Sequence, residues 1–162
     1  MAFGKQKTFL EVTRLLVWAP LLFSSCAAAK PGRIIGPVGV MPPIQWTREE
    51  QASDLAIRTL RKTEDASFHR IRLGGSEEPH IHKTHDVAVF VLSGEALLRL
   101  GKKTYELKKG DVAEIPRNKL HWAENLSDPP CEVYAVFTPA FDGEDYHPVE
   151  RSGGLRPRIV RN

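Results

Sequence analysis

Apolar residues follow different rhythms in successive parts of this chain. From Leu15 to Phe23 they form a run, LLVWAPLLF, with no charged or hydrogen-bonding side chain except the Trp18 indole. Nine residues broken by Pro20 are about half the length that a bilayer-spanning helix needs, so no permanent transmembrane helix is expected there. Further on, Thr47-Arg48-Glu49-Glu50 fits a capping box, and Ala52, Leu55, Ala56 and Leu60 can line one face of a short helix. Ile57 to Thr63 reads equally well as a strand. From Ser67 the rhythm changes to short apolar runs at Ser67 to Leu73, Val87 to Leu92, Ala96 to Leu100, Thr104 to Leu107, Val112 to Ile115, His121 to Asn125 and Cys131 to Thr138. Turn residues separate them, among them Gly74-Gly75, Ser93-Gly94, Gly101-Lys102 and Lys109-Gly110. Evenly spaced short strands with such breaks predict an all-β sandwich or barrel rather than βαβ units. After Thr138 the segment PAFDGEDYHPVE is irregular and polar, and is expected to pack across the barrel or hang from it.

The chain's 162 residues are enough for one domain. Lys5, Lys7 and Arg14 precede the apolar run, and Ser24 to Ala29 after it are all small, the order of a secretory signal. Phe23-Ser24-Ser25-Cys26 resembles a bacterial lipobox, which implies cleavage before Cys26 and lipidation of that cysteine. In that resemblance Ala27 directs the product to an outer membrane, facing the periplasm. Cleavage after Ala29 instead would release a soluble periplasmic or secreted protein beginning at Lys30. The expected organisation is a signal peptide over 1–25, a Gly- and Pro-rich linker or anchor segment over 26–46, a barrel domain over 47–145 and a C-terminal tail over 146–162. Without residues 1–25, 20 basic residues face 19 acidic ones, so the basic pI is largely a property of the leader. No basic patch interleaved with aromatics remains to suggest nucleic acid. Cys131 would be alone once Cys26 is lipidated, and its apolar run reads as a buried structural thiol.

The chemistry concentrates in histidines. His80 and His82 are two apart, so on a strand both imidazoles point to one face. His85 and Asp86 follow, then VAVFVL and the turn at Ser93-Gly94. Gly110, Pro116, His121 and Asn125 complete a second group, with Asn118 at a position where a left-handed turn favours Gly and tolerates Asn. This paired arrangement resembles the two-motif signature of the cupin superfamily, and in particular its small single-domain barrels. The first motif is met by Gly74, His80, His82 and Gly94 and the second by Gly110, Pro116, His121 and Asn125. The resemblance spans Ser67 to Pro139 and implies a double-stranded β-helix, or jelly-roll, barrel holding a divalent metal through His80, His82 and His121, often as a homodimer.

One position departs from the family. Where the resemblance expects a ligand Glu, this chain has Val87. His85 shares the parity of Val87 and is the candidate fourth ligand; Asp86 faces the other way and is expected to accept a hydrogen bond that orients an imidazole. His69 and His147 lie outside the motifs and are expected at the surface.

Three neutral imidazoles would leave a divalent ion its full charge and favour an anionic co-ligand. Fe, Zn, Ni, Cu and Mn all suit such ligands. The leading functional expectation is a metal-dependent oxygenase acting on a small anionic substrate. The alternative is a non-catalytic small-ligand binding or sensing module of the cell envelope, and a third is a metal-free structural barrel. Val87, Val89, Val91, Ala96, Leu98 and Leu100 predict an apolar interior in which no general acid or base is evident, with Tyr134 and Glu114 the nearest candidates.

Overall fold

The computed structural model describes residues 32–150, together with Met1 and the backbone of Arg158–Ile159. Cys26 and the apolar run before it lie outside the described residues. Among those described, no helix is long and apolar enough to cross a membrane.

A small hairpin comes first, β1 (Ile35–Gly36) against β2 (Gly39–Val40). The helix α1 (Arg48–Ala52) follows, with both halves of the capping box formed: Thr47 Oγ1 accepts from the Glu50 amide, and Glu50 accepts from the Thr47 amide. It is shorter than the sequence pattern suggested. Ser53 turns extended, and Leu55–Lys62 forms strand β3, so Leu55, Ala56 and Leu60 belong to a sheet. The remaining strands are β4 (Ser67–Leu73), β5 (His80–Ile81), β6 (Asp86–Ser93), β7 (Glu95–Leu100), β8 (Lys103–Lys108), β9 (Val112–Ile115), β10 (His121–Asn125), β11 (Cys131–Thr138), β12 (His147–Pro148) and β13 (Arg158–Ile159).

These strands form two sheets whose order interleaves the chain. A six-stranded sheet runs β12-β5-β10-β7-β8-β13 and a five-stranded sheet runs β3-β4-β11-β6-β9. Neighbours distant in sequence, such as β5 beside β10 and β6 beside β11, make this a double-stranded β-helix of the jelly-roll kind. The core lies between the sheets. Val87, Ile115, Ala135 and Phe137 of one meet Leu98 of the other, and Leu73, Val91 and Cys131 meet Ala96. Gly94 closes the β6–β7 hairpin at φ +74°, and a Cβ there would sit 2.7 Å from the Cys131 Cα. The position therefore demands glycine on both conformational and steric grounds.

Two expected boundaries shift. Part of the presumed linker belongs to the barrel, because the Gly32 amide donates to the Leu92 carbonyl at 2.8 Å and the Trp46 indole donates to Glu132 at 2.9 Å. The presumed tail also returns to it: β12 pairs with β5, the Val149 amide donates to the Pro79 carbonyl, and β13 runs parallel to β8. Residues 139–149 cross the barrel at its histidine end as a strap.

Candidate metal centre

Strand pairing alone brings two histidines together. His80 on β5 and His121 on β10 are direct cross-strand partners, and His82 follows His80 on the same face. The turn before β10 completes the arrangement. Asn118 adopts the left-handed conformation at φ 62°, and its amide donates to the His82 carbonyl at 2.6 Å, tying the second motif to the first. The ring centroids of His80 and His121 are 4.2 Å apart, those of His80 and His82 5.0 Å, and those of His82 and His121 5.3 Å. One nitrogen from each ring lies within 4.8 Å of the others, and all three residues are buried.

Hydrogen bonding fixes which nitrogen is available. Nδ1 of His80 donates to the Glu78 carbonyl and Nδ1 of His121 to the Lys119 carbonyl, each at 2.8 Å, and Nδ1 of His82 donates to the Asp145 carbonyl. A carbonyl can only accept, so each ring carries its proton on Nδ1 and leaves the Nε2 lone pair free. Burial also keeps the rings neutral. Desolvation lowers the pKa of His80 to about 4 and that of His121 to about 3, and it lowers His82 as well. Neutral, oriented imidazoles with converging lone pairs are the donor set that a divalent transition metal requires, so the residues fit the ion that the sequence implied.

The structure does not bring His85, the candidate fourth ligand, to the other three. His85 is fully enclosed, but its Nδ1 meets the Asp145 carboxylate at 2.5 Å and its Nε2 meets the Ala140 carbonyl at 3.2 Å. Both nitrogens are thus engaged by the strap, because the bend at Lys83 and Thr84 turns the ring away from the other three. Asp86 does not orient an imidazole either. Its side chain points outward and pairs with Arg117, whose Nη2 lies 2.6 Å away, and that pairing holds the carboxyl at about 2. Backbone carbonyls fill the orienting role instead. Val87 occupies the expected Glu position as a core residue packed among Leu98, Ile115, Ala135 and Phe137.

Three further groups escaped the sequence reading. His69, expected at the surface, is instead buried on β4, bonded to Ser67 and Thr59 and edge-on to Phe137 at 5.1 Å. Asp145 lies in the irregular segment after β11, where no periodicity marks an inward residue. Burial opposes its charge, yet bonds from His85 and from the amides of Thr84 and Lys83 hold the carboxyl well below the usual carboxylate range. Glu77 lies in a stretch with no regular strand geometry between β4 and β5, so alternation gave no sign that its side chain turns inward.

A cavity of about 90 Å³ adjoins the triad. His80, His82 and His121 line one part of it, and valine, leucine, isoleucine and alanine side chains line most of the rest. Glu77 is the one carboxylate on its wall among the described residues. Its Oε2 accepts the Ala123 amide at 2.8 Å, and enclosure in apolar surroundings raises the carboxyl to about 7. Cys131, also on the wall, is driven by burial to about 11 and is an inert thiol at neutral pH. Phe137, Phe141 and Tyr146 close the histidine end, with the Tyr146 ring stacked on His80 at 4.3 Å.

Comparison with known proteins agrees with this architecture. Residues 67–137 match the Cupin domain family. A protein of Aquifex aeolicus (strain VF5) is 34% identical over 103 residues, which cover 64% of this chain and 84% of that protein. Among solved structures, KdgF from Halomonas sp. superposes with a TM-score of 0.52 at 25% identity, covering 55% of this chain and 83% of its own. Pac13 of Streptomyces, a nucleoside dehydratase, was solved with uridine; its structure superposes with a TM-score of 0.55 over 68% of this chain and 93% of its own. At 16% identity that likeness is one of fold. The germin-like protein subfamily 2 member 1 of Arabidopsis thaliana is 36% identical over 75 residues, and the match spans 34% of its length.

Proposed function

The chain belongs to the cupin superfamily, and we propose that it is a metal-dependent enzyme acting on a small anionic molecule, most directly an oxygenase. The observation that carries this reading is the convergence of three Nδ1-protonated, neutral imidazoles on one point beside a cavity. His80, His82 and His121 would hold the ion, and their donor type suits Fe, Zn, Ni, Cu and Mn alike. Bound there, it supplies Lewis acidity or, as Fe(II), oxygen chemistry. The chain's own residues do the rest. The carbonyls of Glu78, Lys119 and Asp145 orient the rings, the aromatic cluster of Phe137, Phe141 and Tyr146 excludes water, and the apolar wall accepts the carbon part of the ligand. An all-imidazole set leaves positive charge uncompensated, which favours an anionic ligand.

Metal analysis of the full chain, prepared anaerobically with metal present, tests this reading beside His80→Ala and His121→Ala. One ion in the wild type and none in the variants is expected; a metal-free wild type overturns the proposal. Oxygen uptake by the Fe(II) form with small carboxylates, thiols and diketones tests the oxygenase, and no uptake with any of them moves the reading to an envelope binding or sensing module. The order of charged, apolar and small residues at the N-terminus supports a lipid anchor at Cys26 in a bacterial envelope. Mass spectrometry of the mature N-terminus decides it, since an unmodified terminus at Lys30 rules the anchor out.

A further inference from the structure

We propose that Glu77 is the general base of this cavity, so that the site takes a small carbonyl-bearing anion and moves a proton at the carbon beside the carbonyl. The assignment rests on the histidine site described above and extends it to a substrate class.

Three features of the cavity carry it. First, Glu77 is the one carboxylate among the side chains that line it, facing walls built from residues such as Val89, Val91, Leu98 and Leu107. Second, its two oxygens differ. Oε2 is held by the Ala123 amide at 2.8 Å, whereas Oε1 has no hydrogen-bond partner among the described residues. Third, its position relative to the triad is set by strand geometry. Ala123, which holds Glu77, is two residues beyond His121 on β10 and on the same face. Two residues of strand span about 6.6 Å, so the amide that holds Glu77 lies that far along β10 from the residue that carries the third ring of the triad.

The ligand follows from this arrangement: its anionic oxygens sit at the histidine end, where an ion held by the three rings would draw negative charge. Its carbon chain occupies the apolar middle, and a C–H bond beside a carbonyl reaches Glu77. In the step itself that C–H bond breaks and the proton goes to Oε1 of the Glu77 carboxylate. The C–H electron pair forms a carbon–carbon double bond while the carbonyl π pair moves onto its oxygen. Glu77, now a neutral acid, can return a proton to the same carbon or to its neighbour, so no oxidant or reductant is needed. A carboxyl that burial brings close to neutrality suits both halves of this exchange.

The test uses the full chain, zinc as the metal and pyruvate as the probe. Wild type, Glu77→Gln and Glu77→Asp are incubated with pyruvate in D₂O, exchange of the methyl hydrogens is followed by NMR, and zinc is measured on the same samples. Gln can still accept the Ala123 amide through its side-chain oxygen, so the fold is expected to survive. Exchange in the wild type should exceed that in Glu77→Gln on the order of a hundredfold, with equal zinc content and partial recovery in Glu77→Asp. An infrared carboxylic-acid band should be present in the wild type at about pH 5, lost by about pH 9, and missing from Glu77→Gln. Exchange in Glu77→Gln as fast as in the wild type overturns the assignment. Zinc-free wild type overturns the metal reading instead, and the same exchange comparison on metal-free protein then decides the role of Glu77.

Discussion

Two groups of buried histidines lie side by side at one end of this barrel and serve opposite ends. The rings of His82 and His85 have centroids 6.4 Å apart, and both residues are enclosed. Yet His80, His82 and His121 each give Nδ1–H to a backbone carbonyl and keep Nε2 free, whereas His85 meets a carboxylate on Nδ1 and a carbonyl on Nε2. The first arrangement makes ligands and the second makes a clasp. Asp145 joins the two, since its carbonyl orients His82 while its carboxylate gathers His85, Thr84 and the amide of Lys83. What separates a metal site from a structural tie here is the partner on each ring nitrogen, not burial or residue type.

Acid should break the two groups in sequence, and this is the largest expected effect. His80 and His121 titrate at about 4 and about 3 when folded, against an ordinary value of 6.5. Below 6.5 the unfolded chain takes up protons that the folded chain refuses. The stability they contribute is therefore complete above pH 6.5 and is lost as the pH falls toward 4 and then 3. Two such groups give a slope of about 2.7 kcal/mol per pH unit in that window. Asp145 acts only lower, because a lowered carboxyl gives stability above its unfolded value of 3.8 and loses it below. Glu77 has the opposite sign: raised from 4.5 to about 7, it stabilises fully below 4.5, and that contribution is lost as the pH rises through 7. Denaturant unfolding of metal-free protein across pH checks this; His121→Ala should reduce the acid slope by about half.

Asp145→Ala cuts the link between the groups. It leaves the buried His85 ring and the amides of Lys83 and Thr84 without their acceptor, a loss of about 3–5 kcal/mol when one partner of a buried pair is removed. Metal affinity should fall as well, on the order of tenfold, because His82 loses a firmly placed orienting carbonyl as the strap loosens. Chemical denaturation and metal titration of the same variant measure the two effects.

The sequence revealed these two groups unequally. From Ser67 to Thr138 the strands lie where short apolar runs and turn residues put them. Alternation put His80 and His82 on one face, and the resemblance to the two-motif signature added His121, which the turn at Asn118 returns to His80. Beyond regular strands that logic fails. Parity placed His85 inward but could not show that the bend at Lys83–Thr84 hands its ring to a carboxylate sixty residues later. Glu77 and Asp145 both lie in irregular segments, where direction depends on tertiary contacts. Leu55, Ala56 and Leu60 suit a helical face and a strand alike, and the pairing of β3 with β4 chose the strand.

Approaching the clasp from its other side gives a smaller effect. His85→Gln removes one bond to Asp145 but leaves the Thr84 and Lys83 bonds in place, so a loss of about 1–3 kcal/mol is expected. Metal stoichiometry should stay at one per chain with affinity changed by less than about threefold, well below the 10–100-fold range for partners that orient a ligand. Equilibrium dialysis separates the outcomes. A drop of a hundredfold would make His85 a ligand after all, and would mean that its ring leaves Asp145 when metal enters.

The smallest effect tests whether the strap touches the triad only through Asp145. Tyr146 stacks on His80 with centroids 4.3 Å apart and planes 29° apart, and its hydroxyl reaches the Glu78 carbonyl at a long 3.4 Å. That carbonyl already accepts Nδ1–H of His80 at 2.8 Å, so the hydroxyl competes weakly for an acceptor the imidazole holds better. Tyr146→Phe keeps the stack and removes the competitor, and metal affinity should change by less than about twofold. Tyr146→Ala removes the stack too and should cost about 0.5–1.5 kcal/mol in stability. Measured together by metal titration and thermal melting, the two variants separate the ring from the hydroxyl. If Tyr146→Phe weakened metal binding as much as Asp145→Ala, the hydroxyl rather than the Asp145 carbonyl would be the strap's hold on the triad, and the distinction between ligand group and clasp would have to be redrawn around Glu78.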